Sequence, residues 1–416
     1  MRILALALVP LICVAALACG RSEKRDDGPG AASVQTNAAI LEADAEFVSA
    51  ASELGVENDD AGAARALASS STAGEKLPIT AGSFPSGSMP GDEGRVPSIE
   101  PALASVSLGA FAIDALPYPN DPTAPPELVE SPEEAARLCA ERGARLCTEL
   151  EWERACKGPD DDRYATGPAW NPACNQTPSR CASGFGVRAM GFMQEWTDSR
   201  FDEGNGEPGS AVVRGGPAPV GIGLVAPATG RRCAARSRAT AKGMPARTAF
   251  RCCHGERNAA AIAPIESRPA FRKTTLEAAD LAKIFAEVPE LTRISEGVRL
   301  FSSDEAKSIL ARSSSSGYGI TFATSPILWS PETGVELLVA TGRAKRTAFV
   351  VALWPLPEGK YRFASSFLLL GDSMPVALAY ESSRRNELRW AACWHCAGEH
   401  GAVSLRDDGR VVIVQY

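Results

Sequence analysis

The sequence predicts a mixed α+β fold, and three observations lead to this class. Two short amphipathic helices, each with its own start signal, follow one another between residues 131 and 158. The stretch from 159 to 248 is irregular, is loaded with Gly and Pro, and has few long apolar runs. From residue 318 onward, short β-rich runs alternate with turn signals, which is typical of an antiparallel β domain.

The first residues have the pattern of a targeting signal. Arg2 supplies a positive charge, and the apolar run that follows, 3–18, is too short to span a bilayer comfortably. The run ends in Ala-Leu-Ala before Cys19, which predicts a bacterial lipoprotein signal at 1–19 with Cys19 lipidated. An ordinary cleaved signal peptide is the alternative. In both cases the mature protein leaves the cytoplasm, so disulfides can form. As a lipoprotein we expect it in the bacterial cell envelope, periplasmic or on the cell surface.

Composition narrows the class of protein. The 416 residues are 45% hydrophobic and 22% charged, as in ordinary globular proteins. A net charge of −7 argues against nucleic acid as the main partner. Only 3 His are present, which disfavours a His-rich iron or zinc centre.

The two helices are predicted from their caps. Ser131 with Glu134 forms a capping box, with Pro132 at the first helical position and Gly143 positioned to end the helix. The second helix starts with a capping box of Thr148 and Glu151. Trp152 and Cys156 face inward one turn apart, and the pair Gly158-Pro159 ends the helix.

Beyond residue 256 the pattern changes twice. Apolar residues at helical spacing predict short helices at 275–288 and 304–312. β-rich runs then follow at 335–341, 347–354, 361–369, 376–380 and 388–392, and Asp408-Gly409 is suited to a hairpin turn. We divide the chain into a signal (1–19), a flexible linker (20–76), a central domain (77–256), a linker with short helices (257–316) and a β-rich C-terminal domain (317–416).

The central domain resembles a known family. Its motifs, in order, are ITAGSFPSGS, FAIDALPYPND, RLCTELEWERAC, an EW pair, VRGG, RRCAARS and FRCC. Together they resemble the sulfatase-modifying-factor family, whose founding activity is the formylglycine-generating enzyme. The resemblance implies a C-type-lectin-like fold with little regular secondary structure for residues 77–256, followed by a separate, mostly antiparallel β domain for which no family is recognised.

The resemblance also implies disulfides. In the family, bridges join the positions of Cys139 with Cys252 and of Cys156 with Cys233. Adjacent strand residues point to opposite faces, so Cys252 and Cys253 should have different partners. We therefore pair Cys147 with Cys253 and Cys174 with Cys181, although other connectivities remain open. Cys393 and Cys396 are expected to form a structural disulfide, with a redox centre or a metal site that includes His395 or His400 as alternatives.

The residues that carry out the family's chemistry are missing from this sequence. The enzyme uses copper held by two thiolates, and soft sulfur ligands have no ready substitute. By the family's spacing, those thiolates would fall at Gly223 and Ala228, and 217–230 contains no Cys, His or Met. Copper is not expected. The related iron-dependent sulfoxide synthases need a His triad, and no His precedes His254. We assign no catalytic residue.

Two binding features are weighed. The resemblance implies two calcium sites: Glu195 matches an oxygen ligand at one, where Phe192 replaces the family's Asn, and Asn175 matches an Asn at the other. The alternative is that Glu195 bonds backbone in its loop and Asn175 caps a turn. A basic cluster could bind an anion or pair with local carboxylates, and it consists of Arg231, Arg232, Arg236, Arg238, Lys242, Arg247 and Arg251.

These observations predict a membrane-anchored lipoprotein whose central domain is a non-catalytic member of the family. Its role would be binding or scaffolding, with a protein or a glycan as the ligand. The competing hypotheses are a divergent oxidase of the same family and a thiol–disulfide redox protein that uses the C-terminal CxxC.

Overall fold

The capped helices and short strands of the sequence analysis are present in the structure, a computed structural model. It describes residues 63–201, 209–216, 228–239, 248–265, 267–311, 320–323, 325–369, 375–381, 385–394 and 396–416. The predicted signal with Cys19, Gly223, Lys242, Arg247 and His395 lie outside the described residues. Helices and antiparallel sheets occur together, so the mixed α+β class is confirmed.

The first part of the chain forms three small sheets around two helices. One sheet has the strand order β1-β4-β10-β5, a second pairs β2 with β3, and a third has the order β8-β7-β6-β9. Only β6 and β9 run parallel among these described pairs. The strands are β1 Lys76–Ile79, β2 Gly82–Ser86, β3 Ala104–Leu108, β4 Phe111–Asp114, β5 Arg145–Leu146, β6 Glu195–Arg200, β7 Ala211–Arg214, β8 Arg236–Ala239, β9 Ala249–Phe250 and β10 Cys252–His254.

The two helices, α1 Pro132–Glu141 and α2 Glu149–Lys157, start at the predicted caps. The Thr148 hydroxyl accepts from the Glu151 backbone N–H, and the Glu151 carboxylate accepts from the Thr148 N–H, so this capping box is complete. At α1 the Ser131 hydroxyl accepts from the Glu134 N–H, but the Glu134 carboxylate accepts from Glu130 instead. Gly158, at φ 71°, ends α2 in a conformation that glycine adopts without strain.

The later part of the chain is dominated by two antiparallel sheets. One has the order β11-β14-β15-β16-β17, with β12 beside β15, and the other has the order β13-β18-β19-β20-β21. Helices α3 Ala278–Glu287 and α4 Ser303–Ala311 lie within three residues of their predicted ends. The strands are β11 Phe271–Lys273, β12 Val298–Leu300, β13 Ile320–Ala323, β14 Ile327–Trp329, β15 Leu337–Ala344, β16 Thr347–Pro355, β17 Tyr361–Leu369, β18 Ala377–Glu381, β19 Glu387–Ala391, β20 His400–Leu405 and β21 Val411–Gln415.

Contacts join the earlier and later parts of the chain. Asp60–Tyr416 group into one compact unit. The Arg95 guanidinium donates to the Gly334 carbonyl oxygen at 3.2 Å, and Arg362 lies 3.2 Å from an Asp92 carboxylate oxygen. The loop that carries Arg95 therefore packs against the C-terminal strands, while the domain boundaries given above stay predictions.

Candidate functional site

Disulfides brace the central region. The structure contains Cys139–Cys252, Cys147–Cys253, Cys156–Cys233, Cys174–Cys181 and Cys393–Cys396, which are the predicted pairs. The first four bridges are buried, at 4% exposure or less for each cysteine. In the chain-entropy model the longest ring stabilises the fold by about 5 kcal/mol, and the four-residue ring at 393–396 by about 2 kcal/mol. The central sulfur atoms therefore serve as cross-links.

The Glu195 carboxylate is fully buried and is held by two side chains. The Arg251 guanidinium donates to it in a bidentate manner at 2.6 and 2.7 Å, and the Trp152 indole donates at 3.0 Å. Both partners of the ion pair have 0% side-chain exposure. Calcium binds through several oxygen ligands, and here the oxygens already accept from cationic and indole donors.

The calcium site at Glu195 stays a prediction, and in this structure the carboxylate neutralises Arg251. In the alternative interpretation Glu195 bonds backbone groups, whereas the donors described above are side chains. Asn175 is exposed and ends a 3-10 helix, Pro172–Asn175, whose first turn is capped by the Asn171 side chain instead.

A second buried cluster of charged side chains lies on and around α2, the helix that carries Trp152. Glu149 and Glu153 lie one turn apart on α2, and Arg214 lies 3.0 Å from a carboxylate oxygen of each. Arg236 pairs with Glu149 at 2.8 Å, and Lys157 lies 3.2 Å from Glu153. Burial acts to raise the pKa of Glu153, but attraction by Lys157 and Arg214 outweighs it and lowers that pKa. Burial lowers the pKa of Arg236 to about 10.

Some arginines of the basic cluster pair with carboxylates, and one stacks on an aromatic ring. Arg232 pairs with Glu100 at 2.7 and 3.0 Å, and Arg236 and Arg251 have the carboxylate partners described above. Arg231 instead stacks over the Trp170 ring at 4.8 Å, and burial lowers its pKa. Most of the cluster that the structure describes is thus used internally, as in the second of the two interpretations.

A cleft lies where the Arg95 loop meets the C-terminal strands. Its volume is about 510 Å³, within the range of small-molecule sites. The charged and aromatic side chains of its lining are those of Arg95, Glu100, Arg268, Glu336 and Trp354. Small and aliphatic residues and five prolines form the rest, and the prolines are Pro90, Pro101, Pro264, Pro355 and Pro357.

The charged side chains that line the cleft differ in the partners they have within the protein. The Arg95 guanidinium donates to the backbone oxygens of Glu100 and Gly334, while the Glu100 carboxylate is taken by Arg232. Burial lowers the pKa of Arg95. Arg268, which also lines the cleft, pairs with Glu336 at 2.5 Å. The lining therefore combines apolar side chains with fixed polar groups, the combination that small binding sites use.

A third feature is the loop between β19 and β20. The Cys393–Cys396 disulfide is half-buried. Among the described residues, one group of three metal-ligating side chains comes together, and it consists of Cys393, Cys396 and Glu399, whose ligand atoms lie within 4.8 Å of one another.

Sequence reasoning missed the Glu149–Glu153–Arg214 cluster and the cleft. A signal for the cluster existed: two acids one turn apart beside an inward-facing Trp must be neutralised if that face is buried. The cleft had no signal, because Arg95 and Gly334 are brought together only by the packing of distant segments. Of the predicted site residues, the structure unites the cysteines in pairs and gives Glu195 a purely internal role.

Comparison with protein-family models and with curated proteins finds no match. Within the described part of the chain, none of the helices has both the length and the apolar character needed to cross a bilayer.

Proposed function

We propose that this protein is a membrane-anchored, non-catalytic binding protein of the bacterial cell envelope. Its central domain would be a sulfatase-modifying-factor-like scaffold without oxidase activity. The ligand, a protein or a glycan, would be recognised at the cleft between the Arg95 loop and the C-terminal strands.

The observation that carries this proposal is the state of the cysteines. The chain has 12 cysteines, and ten of them are joined in five disulfides. The other two, Cys13 and Cys19, belong to the predicted signal. In the disulfide-bonded protein these ten cysteines offer no pair of thiolates to hold copper(I), which requires soft ligands.

A direct test separates scaffold from oxidase. Purified full-length protein is loaded with copper under air and incubated with a peptide that carries the sulfatase motif, and aldehyde is measured with a hydrazine probe. We expect no aldehyde above the level of a copper-only control. Stoichiometric aldehyde would reject the proposal and favour the divergent oxidase.

Binding is tested on the same protein. Immobilised full-length chain is screened against soluble cell-envelope glycan fragments and, by chemical cross-linking, against envelope proteins. We expect a specific ligand whose binding is weakened at least tenfold by the cleft variant Arg268→Ser. The matched control is Arg137→Ser, which removes an exposed arginine from α1. Equal binding by both variants would place the ligand elsewhere and reject the cleft as its site.

The membrane anchor is tested separately. If Cys19 carries lipid, a Cys19→Ala protein should lose membrane association on cell fractionation, because the apolar anchor that holds the mature chain is gone. Unchanged partitioning of the variant would remove the lipoprotein part of the proposal and leave an ordinary cleaved signal as the remaining explanation.

A further inference from the structure

The Cys393–Cys396 bridge differs from the other four in accessibility. Each cysteine of the other bridges is at most 4% exposed, whereas Cys393 and Cys396 are both half-buried. A reducing thiol must reach a sulfur atom to attack it. This bridge is therefore the one among the five that a soluble reductant can reach without unfolding the chain.

The loop that carries this bridge is also closed without it. The backbone N–H groups of Ala392 and Cys393 both donate to the Glu399 carbonyl oxygen, at 2.8 and 3.2 Å. The Glu399 N–H donates to the Cys396 carbonyl oxygen at 3.1 Å, and β19 pairs with β20 directly beside the loop. The backbone bonds hold the two sulfur atoms near each other, so reduction should leave the loop folded.

The third member of the group supplies a hard-oxygen ligand. A Glu399 carboxylate oxygen and the two sulfur atoms all lie within 4.8 Å of one another. In a tetrahedral zinc site with Zn–S near 2.3 Å and Zn–O near 2.1 Å, neighbouring ligand atoms are separated by about 3.6–3.8 Å. Opening the S–S bond and moving the carboxylate by about 1 Å would satisfy these distances.

We propose that Cys393–Cys396 is a reversible disulfide whose reduced form binds a thiophilic divalent cation through two thiolates and the Glu399 carboxylate. A dithiol reductant transfers two electrons and two protons to the bridge, giving two thiols and the cyclic disulfide of the reductant. A zinc-like cation then displaces both thiol protons, and water fills the fourth position. The oxidised bridge has no thiolate and binds no such cation.

This inference is independent of the proposed function, since it uses neither the central domain nor the cleft. It identifies the C-terminal sheet as a site where redox state and metal binding are coupled. Each state excludes the other, because the same two sulfur atoms either bond to each other or coordinate the cation.

The test starts with the folded full-length protein. After mild reduction with a small dithiol without denaturant, free thiols are alkylated and mapped by mass spectrometry. We expect two thiols, at Cys393 and Cys396, with the four buried bridges intact. Failure to release these thiols, or their release together with those of buried bridges at equal rates, would overturn the proposal.

Metal binding is then measured on reduced protein freed of reductant. Titration with Co²⁺ should give one equivalent of binding with a thiolate-to-metal charge-transfer band, and Zn²⁺ should displace the Co²⁺. Oxidised protein should give neither signal. Thiols without a charge-transfer band would also overturn the proposal.

Variants assign the ligands. Loss of a group that only hydrogen-bonds to a metal ligand commonly weakens metal binding by roughly 10–100-fold. Glu399→Gln, which removes a ligand, should therefore weaken Zn²⁺ affinity by about tenfold or more while the bridge stays reducible. Asp408→Asn, at an exposed turn of the same sheet, is the matched control and should bind normally. Reduced wild-type protein alkylated at both thiols should bind no Zn²⁺. This alkylated protein replaces a Cys→Ser variant, which could lose metal binding because it fails to fold. Unchanged affinity of Glu399→Gln would refute the assigned carboxylate ligand.

Discussion

Replacing Glu195 with Gln removes the negative charge from the most deeply buried ion pair of the central region. Arg251 would keep its backbone acceptors at Asp114 and Arg188, at 3.3 and 3.2 Å, but lose its counter-charge. The new amide oxygen can accept hydrogen bonds, while the amide NH₂ would face N–H donors. Thus Arg251 would be left as a buried charge without a counter-charge.

The expected size follows from this burial. Removing one partner of a buried pair costs about 3–5 kcal/mol, and since Gln retains one acceptor we expect about 3 kcal/mol, near the low end. In urea, at a slope of about 3 kcal/mol per M, the unfolding midpoint would fall by about 1 M. The measurement is equilibrium unfolding without reductant, so that the disulfides stay intact in both variants.

Glu141→Gln is the matched control. Its partner is Arg137, and the two side chains are 56% and 58% exposed, so the loss should stay below about 0.5 kcal/mol. A double variant, Glu195→Leu with Arg251→Met, should recover part of the stability because it leaves no unpaired buried charge. If Glu195→Gln were no less stable than Glu141→Gln, the reasoning about this ion pair would be refuted.

Two further outcomes are expected. Removing Cys139–Cys252 by double Ala substitution should lower the free energy of unfolding by about 5 kcal/mol, and removing Cys174–Cys181 by about 2–3 kcal/mol. The first loss is larger because the longer ring restricts the unfolded chain more. Equal losses, measured by unfolding in urea, would contradict the ring-size argument. The lowered pKa of Glu153 contributes stability that is present above its usual value of 4.5 and is lost as the pH falls through the folded-state pKa. Glu153→Gln should therefore flatten the fall in thermal midpoint below pH 4.5, and an unchanged slope would argue against this carboxylate.

Local chemistry made part of the fold predictable. The caps at Ser131 and Thr148 act through neighbouring residues, so sequence alone located both helix starts. The cysteine pairs could be predicted because the family resemblance implied two of them. The opposite faces of Cys252 and Cys253 then indicated that these two cysteines have different partners. These features depend on short-range geometry or were inferred from the resemblance.

The features that sequence missed depend on long-range packing. The sequence offers Glu195 as a calcium ligand, whereas in the structure Arg251, 56 residues later, donates to both of its carboxylate oxygens. The cleft needs Arg95 and Gly334 to meet across 239 residues. No local periodicity encodes such encounters, and a carboxylate has the same appearance in sequence whether its partner is a metal ion or a guanidinium.

The placement of the three long bridges has a consequence for biosynthesis. Cys139, Cys147 and Cys156 precede their partners by 113, 106 and 77 residues. In an oxidising compartment these thiols can form non-native bridges with other cysteines before their own partners are available. Yield in cells should therefore depend on a disulfide isomerase that reshuffles premature pairs.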